Sequence, residues 1–118
     1  MAIARAEAGA RAETMAATFL VARGLQIVER NFRCRRGEID LIARDGETLV
    51  FVEVRLRTRR DFGGAAASIT VAKRARIAAA ALFYLGRLPR TPPCRFDAVL
   101  LDAIDADRIE WLRDMMSA

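Results

Sequence analysis

The stretch from Gly37 to Arg55 constrains the fold most, because it has the sequence of a β-hairpin. Two runs rich in Ile, Leu, Val and Phe flank the dipeptide Asp45-Gly46. A dipeptide of this type readily takes the positive φ values of a tight two-residue turn. With Asp45 and Gly46 as the turn, the pairing predicts Arg44 opposite Glu47, Ile42 opposite Leu49, Asp40 opposite Phe51 and Glu38 opposite Glu53.

The alternation of side chains along these two strands predicts which residues share a face. Asp40, Glu53 and Arg55 would project from one face, whereas the other face would carry Ile39, Leu41, Val50, Val52 and Val54. Asp40 and Glu53 would be diagonal neighbours with Cα atoms about 7–8 Å apart. One divalent cation could bridge two carboxylates at this spacing.

A solvated sheet face that alternates charged and apolar residues is the ordinary alternative. Against that alternative, Ile42, Leu49 and Phe51 would share the acidic face, so this face would be half covered. Carboxylates in a partly buried setting need partners. The pattern therefore favours a site at the hairpin without excluding a structural role for the two acids.

Length and composition predict one soluble globular domain over residues 1–118, with 53% hydrophobic and 30% charged residues. No apolar run is long enough for a membrane span, which needs about 18 residues. Charged residues interrupt the segment from Met1 to Glu7, so no signal peptide is expected and the location should be cytoplasmic. The net charge of +5 favours polyanionic partners.

The absence of histidine limits the chemistry that is open to the chain. Ser-His and Cys-His catalysis and most zinc sites are excluded. The two cysteines, Cys34 and Cys94, lie far apart without a Cys-x-x-Cys arrangement, so we expect ordinary reduced thiols rather than a disulfide or a shared metal site. Carboxylates, lysines and arginines remain as reactive groups. Hard oxygen ligands favour Mg²⁺ or Mn²⁺ over Zn²⁺.

The remaining periodicity predicts helices at about 4–23 and within 65–85, and strands at 25–32, 95–104 and 108–112. The second helix should be capped by Ser68 or Thr70, close at Gly86, and cross over between the hairpin and the later strand. The predicted apolar face of the first helix comprises Ala12, Met15, Ala16, Phe19 and Leu20. Together these elements predict an α/β fold, a mixed central β-sheet with flanking helices.

Glu13 should point from the first helix towards the body of the protein. It is either an edge charge paired with an arginine or a third acid near Asp40 and Glu53. Two basic groups flank the hairpin in sequence, and each could contact phosphates or merely be solvated. They are the loop residues Arg57, Arg59 and Arg60, and the second-helix residues Lys73, Arg74 and Arg76.

The order of these motifs resembles the uncharacterised bacterial YraN-like family. That family belongs to the PD-(D/E)XK nuclease superfamily and is similar to archaeal Holliday junction resolvases. The resemblance runs from about Gly9 to Val99. It rests on Glu13, the Gly37-Glu38-Ile39-Asp40-Leu41-Ile42 run, the Phe51-Val52-Glu53-Val54-Arg55 run, Lys73 and Arg95-Phe96-Asp97.

The resemblance implies a restriction-endonuclease-like domain with an αβββαβ core and a Mg²⁺- or Mn²⁺-dependent endonuclease activity. The implied metal ligands are Asp40, Glu53, Glu13 and the main-chain carbonyl of Val54. The implied partner is DNA, branched or otherwise structured, and resolvase-like relatives act as homodimers. No organic cofactor and no membrane are expected.

Arg55 departs from the superfamily pattern, in which this position usually holds a lysine. An arginine stays protonated, so it cannot serve as a base, although its forked donors can hold water or phosphate. Two other classes of function therefore stay open. One is a nucleic-acid-binding module without catalysis. The other is an interaction protein whose acids form ion pairs with Arg33, Arg35 and Arg55.

Overall fold

The computed structural model describes residues 2–57, 70–102 and 107–115, with side chains from Gly9 to Leu56 in the first range. The helices are α1 (Ala2–Ala22) and α2 (Val71–Leu85). The strands are β1 (Gln26–Cys34), β2 (Gly37–Asp45), β3 (Thr48–Arg57), β4 (Cys94–Asp102) and β5 (Ile109–Leu112).

The five strands form one mixed sheet in the order β1-β2-β3-β4-β5. The first three pair antiparallel as a meander, β4 runs parallel to β3, and β5 returns antiparallel to β4. A parallel neighbour requires a crossover connection, and α2 lies in the connection between β3 and β4. The predicted α/β class is confirmed as one domain with the restriction-endonuclease-like αβββαβ arrangement.

The two helices cover opposite faces of the sheet. Ala12, Ala16 and Leu20 of α1 are buried in a core with residues of β2, β3 and β4. Small alanines let the helix approach the sheet closely, so the contact stripe is narrow. Met15, predicted in the apolar face, lies outside that stripe and is 37% exposed. The second core lies beneath α2 and contains Phe32, Ile39, Ile42, Leu49, Phe51, Ile77, Ala80, Ala81 and Tyr84.

The helix termini follow the predicted signals. Gly24, with a φ of 96°, is the second residue after Ala22, where α1 ends, and a left-handed residue near this position commonly terminates a helix. The Thr70 hydroxyl accepts a hydrogen bond from the Lys73 N–H at 3.2 Å and caps α2. Ser68, the alternative cap, lies outside the described residues. Across the described ranges, neither helix is long and apolar enough to cross a membrane.

The register of the β2–β3 hairpin differs from the predicted one by two residues. Asp45 pairs with Thr48 and Ile42 with Phe51, so the loop is Gly46-Glu47. Gly46 has a φ of 62° and stands at the first loop position, where a tight hairpin turn needs a positive φ. An even shift leaves every face assignment of the paired segment unchanged, because side chains alternate with a period of two.

The face of Ile39 is a second correction. Ile39 was expected beside Leu41, but it packs in the α2 core with Phe32, whereas Leu41 packs in the α1 core. The recorded β2–β3 pairing ends at Leu41 and Val52. The start of β2 therefore lacks β3 as a partner. Its side chains stop alternating regularly between the two faces of the sheet at Asp40, so Ile39 and Leu41 lie on opposite faces.

Gly37, the first residue of β2, lies directly beneath α2. A methyl group on its Cα would overlap the main-chain carbonyl of Arg76. The absence of a side chain therefore lets the helix backbone rest on the strand.

Asp97 of β4 is the one charged residue among the fully buried side chains of the described ranges, with a side-chain exposure of 0%. Its carboxylate accepts hydrogen bonds from Arg95 Nε at 3.1 and 3.2 Å, from Trp111 Nε1 at 2.9 Å and from the Asp114 N–H at 2.9 Å. Arg95 also contacts Asp45 Oδ2, at the hairpin, at 3.1 Å. Asp97 thus ties β5 and the segment after it to the sheet.

Candidate functional site

The candidate site lies where β2 and β3 separate. Beyond the Leu41–Val52 pair, the start of β2 (residues 37–40) has only β1 as a neighbour, and the end of β3 (residues 53–57) has only β4. The Val54 N–H, which no longer has a β2 carbonyl to reach, donates to Asp40 Oδ2 at 2.8 Å. The next step of the hairpin register would place Asp40 opposite Glu53. The opening in the sheet therefore brings two carboxyl groups together.

Burial and the negative charges of Glu13 and Glu38 raise the pKa of Asp40 to about 6, against the lowering effect of the Val54 N–H. Burial and the charge of Asp40 raise the pKa of Glu53 to about 7, although Arg55 and Lys73 lower it. Glu53 also hydrogen-bonds Asp40. Two carboxyl groups that interact this strongly cannot both ionise without compensation, so the pair keeps a proton to a higher pH than isolated carboxyl groups do.

Glu13 of α1 was expected either to pair with an arginine at the edge of the helix or to act as a third acid near Asp40 and Glu53, and the structure shows an arginine partner together with an electrostatic effect on Asp40. The side chain of Glu13 is 17% exposed, and its charge acts on Asp40. Its Oε1 also forms an ion pair with Arg30 of β1, whose Nη2 lies 4.0 Å away. Within residues 2–57, 70–102 and 107–115, no group of three or more Asp, Glu, Cys or His side chains is arranged to hold a metal ion. A ligand role for Glu13 therefore stays a prediction.

A cleft of about 250 Å³ opens between Glu53 on β3 and the start of α2. Its walls combine Glu53, one of the two paired acids, with basic side chains from β3 and α2. It is lined by Glu38, Glu53, Arg55, Lys73, Arg76 and Ile77. An acid at the floor and cations at the walls can hold a metal ion and a phosphate side by side.

The structure separates the predicted basic residues into different places. Arg55, Lys73 and Arg76 line the cleft. Arg74 lies instead against a narrow crevice beside Phe96, and its buried Nε has no hydrogen-bond partner among the described residues. The remaining predicted phosphate contacts, Arg59, Arg60 and the side chain of Arg57, lie outside the described residues.

Glu38 is the residue whose place was least clear from the sequence. It was expected opposite Glu53 in the hairpin, but it pairs with Arg33 of β1 and its Oε2 lies 3.3 Å from Arg33 Nε. Its carboxylate still lines the cleft. Since it is exposed and already paired with a cation, Glu38 forms the rim of the site.

The raised pKa values predict that the metal-free protein loses stability as the pH rises. Both folded values, about 6 and about 7, exceed the ordinary 3.8 and 4.5. The folded protein therefore holds more protons than the unfolded chain, and this stabilisation disappears between about pH 4 and pH 7. In chelator, the thermal midpoint of the wild type should fall between pH 5 and pH 8, relative to an Asp40→Asn/Glu53→Gln double variant. The expected difference is about 3 kcal/mol, or roughly 10 °C.

Glu110→Gln is the matched control for this measurement. Glu110 is an exposed acid on β5, at the opposite edge of the sheet from β1. This variant should keep the pH dependence of the wild type. Parallel curves for the wild type and the double variant would contradict the assignment of the shared proton.

Comparison with known proteins identifies the family. The sequence model of the family described as "Uncharacterised protein family UPF0102" matches residues 12–101 of this chain. A UPF0102 protein of Nitrosospira multiformis is 56% identical over 106 residues, which are 90% of this chain and 89% of the relative. One from Dechloromonas aromatica is 57% identical over 110 residues, 93% and 88% of the two chains. One from Methylobacillus flagellatus is 52% identical over 110 residues, 93% and 96% of the two chains.

These matches cover most of both chains at more than half identity. They confirm the YraN-like resemblance at the level of the family. The chain belongs to the UPF0102 family.

Proposed function

We propose that this protein is a divalent-metal-dependent nuclease that hydrolyses phosphodiester bonds in DNA, with branched or otherwise structured DNA as the substrate class. The observation that carries the proposal is the meeting of Asp40 and Glu53 at the opening between β2 and β3, beside a cleft with cationic walls. Membership in the PD-(D/E)XK superfamily and a cytoplasmic location are part of the same proposal.

The donor set fits Mg²⁺ or Mn²⁺. Asp40 and Glu53 offer carboxylate oxygens, and the main-chain carbonyl of Val54 follows directly in the sequence. Their elevated pKa values are the expected signature of acids placed together for a cation. A cation held there would polarise the phosphoryl oxygens and lower the pKa of a water molecule. Glu13 would support it from α1.

The basic side chains would hold the substrate. Arg55 and Lys73 act on the charge of Glu53, so their cationic groups lie near the acid pair. Arg76 lines the outer part of the same cleft. Arg55 can fix a phosphate through two parallel hydrogen bonds, whereas Lys73 supplies a point charge on a flexible stem. Together they would orient the scissile phosphate over the acids.

A nucleic-acid-binding module without catalysis is the second candidate function. The observation that favours it is Arg55, which lines the cleft. The PD-(D/E)XK superfamily, which the chain resembles, usually has a lysine at this position. An arginine cannot accept the proton of the attacking water. In this case phosphate binding persists and hydrolysis does not.

A cleavage assay separates the two functions. Purified protein should be incubated with single strands, duplexes, forked DNA and four-way junctions, in Mg²⁺, in Mn²⁺ and in chelator. Metal-dependent product with at least one structured substrate supports the nuclease. Salt-dependent binding to these substrates, without any product, supports the binding module instead. A protein that neither binds nor cuts would overturn both.

Arg55→Lys should raise the cleavage rate, by about tenfold at pH 8, because a lysine in this cleft can release a proton and arginine cannot. Arg55→Met should lower the rate and weaken DNA binding, since it removes the charge while keeping the length of the side chain. Single-turnover rates with saturating Mn²⁺ measure both effects. A slower Arg55→Lys protein would show that the forked donors matter more than the proton.

A further inference from the structure

A second basic surface lies outside the cleft, at the turn between β1 and β2. Arg33 ends β1 with Cys34, and Arg35 and Arg36 form the turn. Beside them lies Phe83 of α2, which is 59% exposed. We call Arg33, Arg35, Arg36 and Phe83 the hairpin-tip patch. A cavity of about 310 Å³ lies between these residues and Cys34.

Acidic side chains of the described residues do not fully neutralise the arginines of the hairpin-tip patch. Arg33 pairs with Glu38, but both side chains are exposed, at 74% and 55%. Neither Arg35 nor Arg36 forms an ion pair with any residue in the described ranges. A surface with unneutralised guanidinium groups attracts a polyanion.

Phe83 gives the hairpin-tip patch an aromatic face. Its exposure was not expected, because the sequence of α2 is almost wholly apolar from Ile77 to Leu85. Its ring lies 6.3 Å from the ring of Phe32, which is buried, so Phe83 has a fixed support. A supported ring beside phosphate-binding cations is the combination that unpaired nucleobases stack on.

The hairpin-tip patch is continuous with the candidate site. Glu38 lines the cleft and is paired with Arg33 of the patch. Gly37 follows Arg36 directly and lies beneath the Arg76 backbone at the cleft wall. At about 3.4 Å per residue, Gly37 and Asp40 are ~10 Å apart along β2. A short strand of nucleic acid could therefore occupy both places at once.

From this arrangement we propose that the hairpin-tip patch binds an unpaired segment of the nucleic acid, with a base stacked on Phe83 and the adjacent phosphates on Arg35 and Arg36. The cavity is large enough for a nucleotide-sized group. A base inside a duplex has both faces covered by its stacked neighbours, so the patch distinguishes an unpaired segment from the interior of a paired one. This inference deepens the proposed function and rests on it for the strand that enters the cleft.

Binding of short oligonucleotides tests the inference directly. An oligothymidylate of about twelve nucleotides, the same-length oligomer with abasic sites and a blunt duplex are titrated with the full-length protein in chelator, by fluorescence anisotropy. The wild type should bind oligothymidylate about tenfold tighter than the abasic oligomer, the factor that about 1.4 kcal/mol of stacking provides. Phe83→Ala should lose this preference and keep its affinity for the duplex.

Matched variants keep the test interpretable. Phe83→Leu retains apolar packing on Phe32 but has no ring, so it should behave as Phe83→Ala. Leu82→Ala changes the neighbouring exposed residue and should behave as wild type. A plot of the logarithm of the single-strand binding constant against the logarithm of the salt concentration should have a slope that is smaller in magnitude by about 1.4 for an Arg35→Ala/Arg36→Ala variant. Arg108→Ala, just before β5 at the far edge of the sheet, should not share this large reduction.

The outcomes separate this inference from the proposed function. If the wild type binds and cuts DNA but Phe83→Ala keeps the preference for bases, the hairpin-tip patch is not the strand-binding site and the nuclease proposal stands. If a glutamate peptide of the same length competes as well as the oligonucleotide, the patch serves an acidic protein partner and the inference fails. If stacking is confirmed without cleavage on any substrate, the inference stands and the nuclease proposal fails.

Discussion

Asp40→Asn and Glu53→Gln should each reduce metal-dependent DNA cleavage by about a thousandfold or more, while DNA binding in chelator changes little. Each substitution removes a negative oxygen donor from the pair at the sheet opening, and the charge stabilisation that a bound cation supplies is worth several kcal/mol. The basic walls of the cleft remain in place, so affinity for phosphate should persist. Single-turnover cleavage and anisotropy measure the two properties on the same preparations.

Glu38→Gln is the control for this experiment, since it makes the same acid-to-amide change at the rim of the cleft. It should retain cleavage within about tenfold of the wild type. Identical purification of all three variants also reveals any contaminating nuclease, because contamination would cut DNA in every preparation. An Asp40→Asn protein that cuts at nearly the rate of the wild type would rule out Asp40 as a metal ligand.

Asp97→Ala should be the most destabilising single substitution in the sheet, with a loss of about 4 kcal/mol in the free energy of unfolding. The change leaves Trp111 Nε1, the Asp114 N–H and the partly buried Arg95 without their shared acceptor. Unsatisfied buried donors are costly, and Arg95 would keep only its outer contact with Asp45. Denaturant unfolding at pH 7 gives the stability difference.

Asp45→Asn is the comparison for this effect, because it weakens only the outer contact of Arg95, at a carboxylate that is 39% exposed. It should cost about 1 kcal/mol or less. Asp97→Asn, which keeps the shape of the side chain, should fall between the two. A folded Asp97→Ala protein of normal stability that had lost cleavage would instead place Asp97 in the chemistry.

The order of elements was predictable from the sequence because local signals carried it. Apolar periodicity separated helices from strands, and the caps at Thr70 and Gly24 fell where polar and glycine residues indicated. The acidic pair was also predictable, since Asp40 and Glu53 lie on opposite arms of one hairpin. The faces predicted for the paired segment, residues 41–45 and 48–52, survived an error in register because the error was even.

The features that the sequence could not supply depend on contacts between distant segments. Nothing local indicated that β2 would lose its β3 partner near Asp40, although this opening carries the site and reverses the face of Ile39. The burial of Asp97 likewise depends on Trp111 and Asp114, which approach only when β5 has paired. Exposure of Phe83 depends on which side of α2 meets the sheet.

The contact between Gly37 and α2 determines the width of the groove in which a substrate would lie. Lys73 and Arg76 belong to the helix, whereas Glu53 belongs to the sheet, so the spacing between these layers sets how far the cations stand from the acids. Even one methyl group at Gly37 would push the helix backbone outward at Arg76. Gly37 does not line the cleft itself, yet its missing side chain sets the spacing between the acids of the sheet and the cations of α2.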